Sequence, residues 1–267
     1  MNNTKNGVER ICVEPPKHVQ FGDFNILCAS RQDLVDLALA ACRAPQDRTT
    51  LVFDVNGHAL SLARTDKTFA DMIRQADIIH ADGGFLVTLS KYIGGNQIPE
   101  RSATTDMLLD FATSFQSSPY SFYLLGSEER VNRVCAEKLR EMYPRLDIAG
   151  RRNGFFGVDE EREIVDDINA SGADVLWVGL GKPKEQDFCV RWRHELKPRW
   201  TITCGGCFNY VTGEYARAPA WMQRSNLEWL HRLGTRPKEL LGRYLTTSPH
   251  ALWIALTDNS SRKTSSR

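Results

Sequence analysis

The sequence predicts an α/β protein built on a mainly parallel sheet, and three observations predict it. Short β-rich runs alternate along the chain with longer segments in which apolar residues recur every three or four positions. With 267 residues, 42% of them apolar and 25% charged, the chain can bury a full core in the manner of an ordinary globular protein. No run approaches the roughly 18 apolar residues that a spanning helix needs. Strand and helix in alternation imply right-handed crossovers, so the expected architecture is a Rossmann-like sheet with helices on both faces. Ligands of such sheets sit beyond the carboxyl ends of the strands.

Helix 32–43 precedes strand 51–55. Strand 77–80 runs into Asp82-Gly83-Gly84 and an apolar helix carrying Phe85, Leu86 and Leu89. Helix 105–115 begins behind Thr104, and strand 121–125, helix 128–142 and strand 146–149 follow. Helix 159–170 leads to strand 174–178, which ends in the turn Gly179-x-Gly181. Helix 184–196 and strand 200–203 complete the alternation before the turn Gly205-Gly206. The expected division is a flexible segment 1–20, a catalytic α/β domain 21–213, a membrane-associating C-terminal helical appendage 214–258 and a disordered Ser/Lys/Arg tail 259–267.

The stretch from Gly205 to Leu245 concentrates cations and indole rings. It holds six Lys or Arg (Arg217, Arg224, Arg232, Arg236, Lys238, Arg243) against three Glu, on a chain whose net charge is only +1. With Trp221, Trp229 and several leucines beside those cations, the expected partner is anionic and greasy. The near-neutral balance of the rest gives no nucleic-acid footprint. The N-terminus lacks an apolar core with a cleavage site, so cytoplasmic residence is expected. Seven cysteines without a spaced framework point to reduced thiols. Cys204-x-x-Cys207 invites a redox or metal reading, but its simpler reading is two small thiols packed where a strand meets a tight turn.

Asp82 stands where a buried strand gives way to a glycine turn, the crevice position of such a sheet. A carboxylate there can take a proton from an attacking hydroxyl, and Gly83 lets a substrate approach the backbone. Asp82 equally suits a helix N-cap. Behind strand 174–178, turn amides and two lysines, Lys182 and Lys184, suit a phosphate, although the dinucleotide fingerprint and the P-loop spacing are both missing. Arg101 precedes Thr104-Thr105-Asp106; a threonine there can cap the helix and Arg101 can meet an anion. Asp54 and Asn56, two residues apart, point to one side, which suits sugar hydroxyls or the closing of a turn. No two aspartates are separated by one residue, and no histidines pair at helical spacing. No metal and no cofactor are therefore expected, and a diphosphate must be met by cations and amides.

Taken together, Asp82-Gly83, Arg101, Thr105-Asp106, Gly179-x-Gly181-x-Pro183-Lys184, Phe208, Gly213, Arg217-Ala218-Pro219, Trp221, Leu227-Glu228-Trp229 and Arg232 resemble the bacterial WecG/TagA/CpsF glycosyltransferases, family twenty-six. The resemblance implies an inverting, metal-independent transfer of a sugar from a UDP-sugar to an undecaprenyl-diphosphate-linked saccharide in surface polysaccharide synthesis. It implies a peripheral position on the inner face of the cytoplasmic membrane; a homo-oligomer is compatible with it. By position, Asp82 resembles the family's general base, Asn56 its active-site asparagine and Arg101 its substrate-side arginine. Arg217, Arg236, Lys238 and Arg243 look like the group that meets the lipid diphosphate.

Three departures lie near the implied sugar pocket. Glu185-Gln186 stands where the family usually has Gln-Glu, Asn209 where Phe-Asp is usual, and Asp54 replaces a threonine. They leave a hexose or a uronic acid open as the donor sugar. Two rival classes are a nicotinamide-dependent oxidoreductase, which lacks its glycine fingerprint here, and a non-catalytic nucleotide-binding or scaffold protein.

Overall fold

A computed structural model describes residues 16–93, 95–224 and 228–235 of the chain. It opens with an antiparallel hairpin of β1 (His18–Phe21) and β2 (Phe24–Leu27), turned at Gly22 with φ 56°. Then come α1 (Arg31–Arg43), β3 (Thr50–Val55), α2 (Gly57–Thr65), α3 (Lys67–Arg74), β4 (Ile78–Ala81) and α4 (Gly84–Ser90). The middle holds α5 (Thr104–Phe115), β5 (Ser121–Gly126), α6 (Glu129–Met142), β6 (Asp147–Arg152), a 3₁₀ turn (Val158–Glu160) and α7 (Glu161–Ala170). The last elements are β7 (Val175–Gly179), α8 (Lys184–Arg191), β8 (Trp200–Thr203), α9 (Cys207–Thr212), α10 (Ala220–Arg224) and α11 (Glu228–Thr235).

Six strands form one parallel sheet in the order β4-β3-β8-β7-β5-β6. Alternation sorts its side chains into two cores. Leu51, Phe53 and Val55 of β3 and Leu176 and Val178 of β7 join Leu60, Phe69, Ile73, Ile168 and Phe188 on one face. Val52, Val175, Trp177 and Ile202 join Leu34, Ala38, Phe111, Phe115 and Leu139 on the other. A sheet buried on both faces accounts for strands that read as nearly continuous apolar runs.

Local chemistry sets the helix starts. Ser30 and Asp33 form a capping box on α1, Asn56 caps α2 and Asp66 caps α3 through their side-chain oxygens. The expected helix 184–196 ends earlier, at Arg191. Residues 192–195 continue as a turn, in which Arg193 donates to the Gln75 carbonyl at 2.6 Å and pairs with Asp77. The hairpin β1-β2 and the pair α2-α3 were not among the expected elements. Their signals are the Gly22-Asp23 turn and the capping residues Asn56 and Asp66.

Candidate active site

The carboxyl ends of the parallel strands bring together Asn56, Asp82, Gly126-Ser127, Gly179 to Lys182 and Cys204 to Gly206. In an open parallel sheet of this kind ligands bind beyond this end of the strands. Glycines let the loops meet. A β-carbon on Gly126, whose φ is 137°, would collide with the Gly179 backbone, and one on Gly179 would lie 2.8 Å from the Gly205 carbonyl oxygen. At Gly83 a β-carbon would come within 3.3 Å of Asn56 Cβ.

Asp82 is half-buried and held at both oxygens. Its Oδ1 accepts the backbone N–H of Thr104 at 3.1 Å, and its Oδ2 accepts Nδ2 of Asn56 at 3.3 Å. It does not cap α4, whose N-cap is Gly83 and has no side-chain bond. Asp82 instead satisfies the first amide of α5, where neither threonine acts as a cap. The Thr104 hydroxyl donates to the Cys204 carbonyl at 3.3 Å, and the buried Thr105 Oγ1 has no hydrogen-bond partner among the described residues. The expectation of a threonine cap is thereby corrected: a carboxylate from the neighbouring strand end takes that place. Asn56 uses its oxygen on the α2 amide of Ala59 at 3.1 Å, which turns its NH₂ toward Asp82.

Asp54 faces the interior. It is 3% exposed, its Oδ2 lies 2.5 Å from Lys182 Nζ and its Oδ1 accepts the Thr203 hydroxyl at 3.1 Å. Asp54 and Asn56 therefore serve different partners. Burial pushes the Asp54 carboxyl up, but Lys182, His80 and the Thr203 hydroxyl outweigh it and hold the group below its ordinary value. His80, fully buried beside Asp54 in the β3-β4 register, is pushed down by burial against the pull of Asp54 and Asp82.

Glu185 ties two loops together, since its Oε2 accepts the amides of Gly181 at 3.0 Å and Gly205 at 3.1 Å. The Gly181 amide expected for a phosphate is thus occupied by a carboxylate. Burial pushes Glu185 up despite the neighbouring Lys182. Gln186, also buried, donates to Glu185 Oε1 at 3.3 Å. Lys184 is exposed, lies over the Phe156 ring and donates to the Gly154 carbonyl at 3.1 Å. Asn209 in α9 accepts the Ser127 hydroxyl at 3.3 Å and donates to Glu214 at 3.1 Å.

Asp106 is a hub for three arginines, at 3.2 Å from Arg101, 2.5 Å from Arg217 and 3.3 Å from Arg31. Arg101 also pairs with Glu228, the first residue of α11, so its anions here are both side chains of the protein. Arg217 further donates to Gln223 at 2.9 Å. Arg236, Lys238 and Arg243 lie outside the described residues. Sequence reasoning missed the inward turn of Lys182 and the parts of Arg31, His80 and Glu228, whose partners are distant in the chain. Cys204 and Cys207 are buried thiols, and burial pushes Cys204 well above the usual range. Among the described residues no cluster of three His, Cys, Asp or Glu is able to hold a metal, and no helix is long and apolar enough to cross a membrane.

The chain is 28% identical over 192 residues to an N-acetylglucosaminyldiphosphoundecaprenol N-acetyl-beta-D-mannosaminyltransferase of Bacillus spizizenii, covering 72% of this chain and 74% of the relative. The enzyme of the same name in Bacillus subtilis is 28% identical over 214 residues, 80% of this chain and 82% of its own. A UDP-Gal:alpha-D-GlcNAc-diphosphoundecaprenol beta-1,4-galactosyltransferase of Shigella boydii is 25% identical over 162 residues, 60% of this chain and 68% of its own. The family model described as Glycosyl transferase WecG/TagA/CpsF family matches residues 19–265, nearly the whole chain, and it spans every element of the parallel sheet and the crevice at its carboxyl end. The chain belongs to the WecG/TagA/CpsF family of glycosyl transferases.

Proposed function

We propose that this glycosyltransferase moves a sugar from a UDP-sugar to a saccharide carried on undecaprenyl diphosphate, in one inverting, metal-independent displacement with Asp82 as general base. The observation that carries the reading is the placement of Asp82. Its carboxylate lies half-buried at the carboxyl end of β4, oriented by Asn56 and by the Thr104 amide. In the proposed step an acceptor hydroxyl passes its proton to Asp82 as its oxygen attacks the anomeric carbon, and UDP leaves from the opposite face. A positioned base contributes about 10²- to 10⁴-fold. The undecaprenyl-diphosphate acceptor is supported by the names of the similar proteins from Bacillus and Shigella.

The appendage residues are proposed to meet the inner membrane surface where that lipid resides. Trp221 and Leu230, 56% and 46% exposed, support this reading. The test of function is UDP release from a panel of UDP-sugars with a short-chain diphosphate-lipid acceptor. Acceptor-dependent release is expected with one donor, and a flat response to every donor would favour a non-catalytic nucleotide-binding protein.

A further inference from the structure

Lys182 leaves the β7 end and turns into the fold. Its side chain is 11% exposed, beside Asp54 at 4% and Glu185 at 0%. Its ammonium lies 2.5 Å from Asp54 Oδ2 and 3.6 Å from Glu185 Oε1. The carboxylate oxygens around it are already engaged. Asp54 Oδ1 holds the Thr203 hydroxyl, Glu185 Oε2 holds two backbone amides and Glu185 Oε1 accepts from Gln186. An ammonium carries three donors, and among the described residues only the bond to Asp54 falls within hydrogen-bond distance. The ammonium therefore keeps donors to spare, beside Gln186 Oε1 and His80 Nε2, which are buried without a partner among the described residues. Burial pushes the lysine down, but Asp54, Glu185 and Asp82 together raise it above the usual range, so it stays charged and feels the carboxylate of the crevice.

A cation neutralised by its own aspartate is a poor receptor for an anion, yet it keeps its full power to donate to a neutral oxygen. Asp54 and Asp82 beside it repel a further carboxylate. We propose that Lys182 is a specificity-determining residue that donates a hydrogen bond to a hydroxyl of the donor sugar. The subsite accordingly takes a neutral hexose or N-acetylhexosamine in preference to a hexuronic acid. This inference rests on the UDP-sugar reading above.

Calorimetric titration of the whole chain with UDP, UDP-glucose, UDP-galactose, UDP-N-acetylglucosamine and UDP-glucuronic acid tests it. The tightest neutral donor is expected to bind about tenfold or more tighter than the uronate. Lys182→Met should keep the affinity for UDP and lose about tenfold for that donor. Asp54→Asn with Lys182→Met removes both charges, so no buried ion is left unpaired, and it should show the same selective loss. Preference of the wild type for the uronate overturns the proposal, and that comparison needs no variant to fold. Equal loss of UDP and UDP-sugar would put the lysine on the diphosphate. Recovery in the double variant would make it only a counter-ion of Asp54. Either result overturns the proposal. Failure of the wild type to bind UDP overturns the parent reading, and this one with it.

Discussion

Asn56 Nδ2 donates to Asp82 Oδ2 at 3.3 Å across the ends of two adjacent parallel strands. With the Thr104 amide on the other oxygen, the carboxylate is fixed in orientation while Asp82 stays partly exposed. A base held this way loses its chemistry, but little of its scaffolding, when its charge is removed. Asp82→Asn is expected to leave the melting temperature within a few degrees of wild type and donor binding intact, while acceptor-dependent UDP release falls by about 10²- to 10⁴-fold. Near-normal turnover would refute the assignment of Asp82 as base.

Asn56 does two jobs through two atoms, so they can be separated. Asn56→Asp keeps an oxygen for the Ala59 amide and so keeps the α2 cap, but it sets a second carboxylate against Asp82. The cap itself should change by less than about 1 kcal/mol, and the like-charge repulsion should add a loss at neutral pH that acid relieves. Turnover should fall at least about tenfold at neutral pH, with the pH–rate profile of the base displaced upward. A profile superimposable on wild type would show that the two side chains do not communicate.

The inner strands β3, β5, β7 and β8 could be read because each is a short, apolar-rich run buried along its length, a signal contained within the run itself. Asp82 drew notice for the same reason, as it sits at the boundary of such a run, β4. The edge strand β6, Asp147–Arg152, is polar and half-exposed and runs three residues past the expected 146–149. Lys182 was not placed, because whether a lysine behind a Gly-x-Gly turn faces solvent or Asp54 depends on β8 lying between β3 and β7. The Arg101 partner Glu228 lies 127 positions away on α11, beyond any local pattern. The short helices α2 and α3 carry their start signals in Asn56 and Asp66, but the first of these also suits a sugar ligand, and one residue type served both readings.

Backbone contact between strand ends is a sharper constraint than glycine content. Gly126 has φ 137° and no room for a β-carbon against Gly179, whereas Gly172 has φ 69° with nothing within 4 Å. Gly172→Ala should cost about 1 kcal/mol, the penalty of a left-handed alanine alone. Gly126→Ala adds a collision with the Gly179 backbone and should cost about 3 kcal/mol or more. Chemical denaturation of the two variants measures the contrast, and equal losses would mean that the β5 and β7 ends separate freely.

Glu161 anchors the start of α7 to the end of α8. Its carboxylate accepts two bonds from Arg191 at 2.6 and 2.8 Å and the Trp192 indole N–H at 2.7 Å. Burial pushes its carboxyl up, but those bonds and the Arg191 charge outweigh it and hold the group below its ordinary value. A depressed carboxyl contributes stability that is complete above the unfolded value, about 4.3, and is lost as the pH falls through the folded one. Glu161→Gln should thus be less stable than wild type by about 1–2 kcal/mol near neutrality. The difference should narrow once the pH drops below about 4.3. A gap that stays constant down to strong acid would mean the ion pair is not what the substitution removes.

Trp221 and Leu230 stand open on α10 and α11, although Met222 and Glu228 on the same helices are buried. Docking to the body through Arg101 and Glu228 thus fixes α11 without covering Trp221 or Leu230. The proposed contact with a lipid surface would cover this exposed indole and leucine. Trp221→Glu with Leu230→Glu, made in the full chain, places charge where acyl chains would be. It should reduce co-sedimentation with anionic phospholipid vesicles at least about tenfold and leave UDP binding unchanged. Equal pelleting of variant and wild type would remove these two residues from any membrane contact and leave the covering of the appendage to another partner.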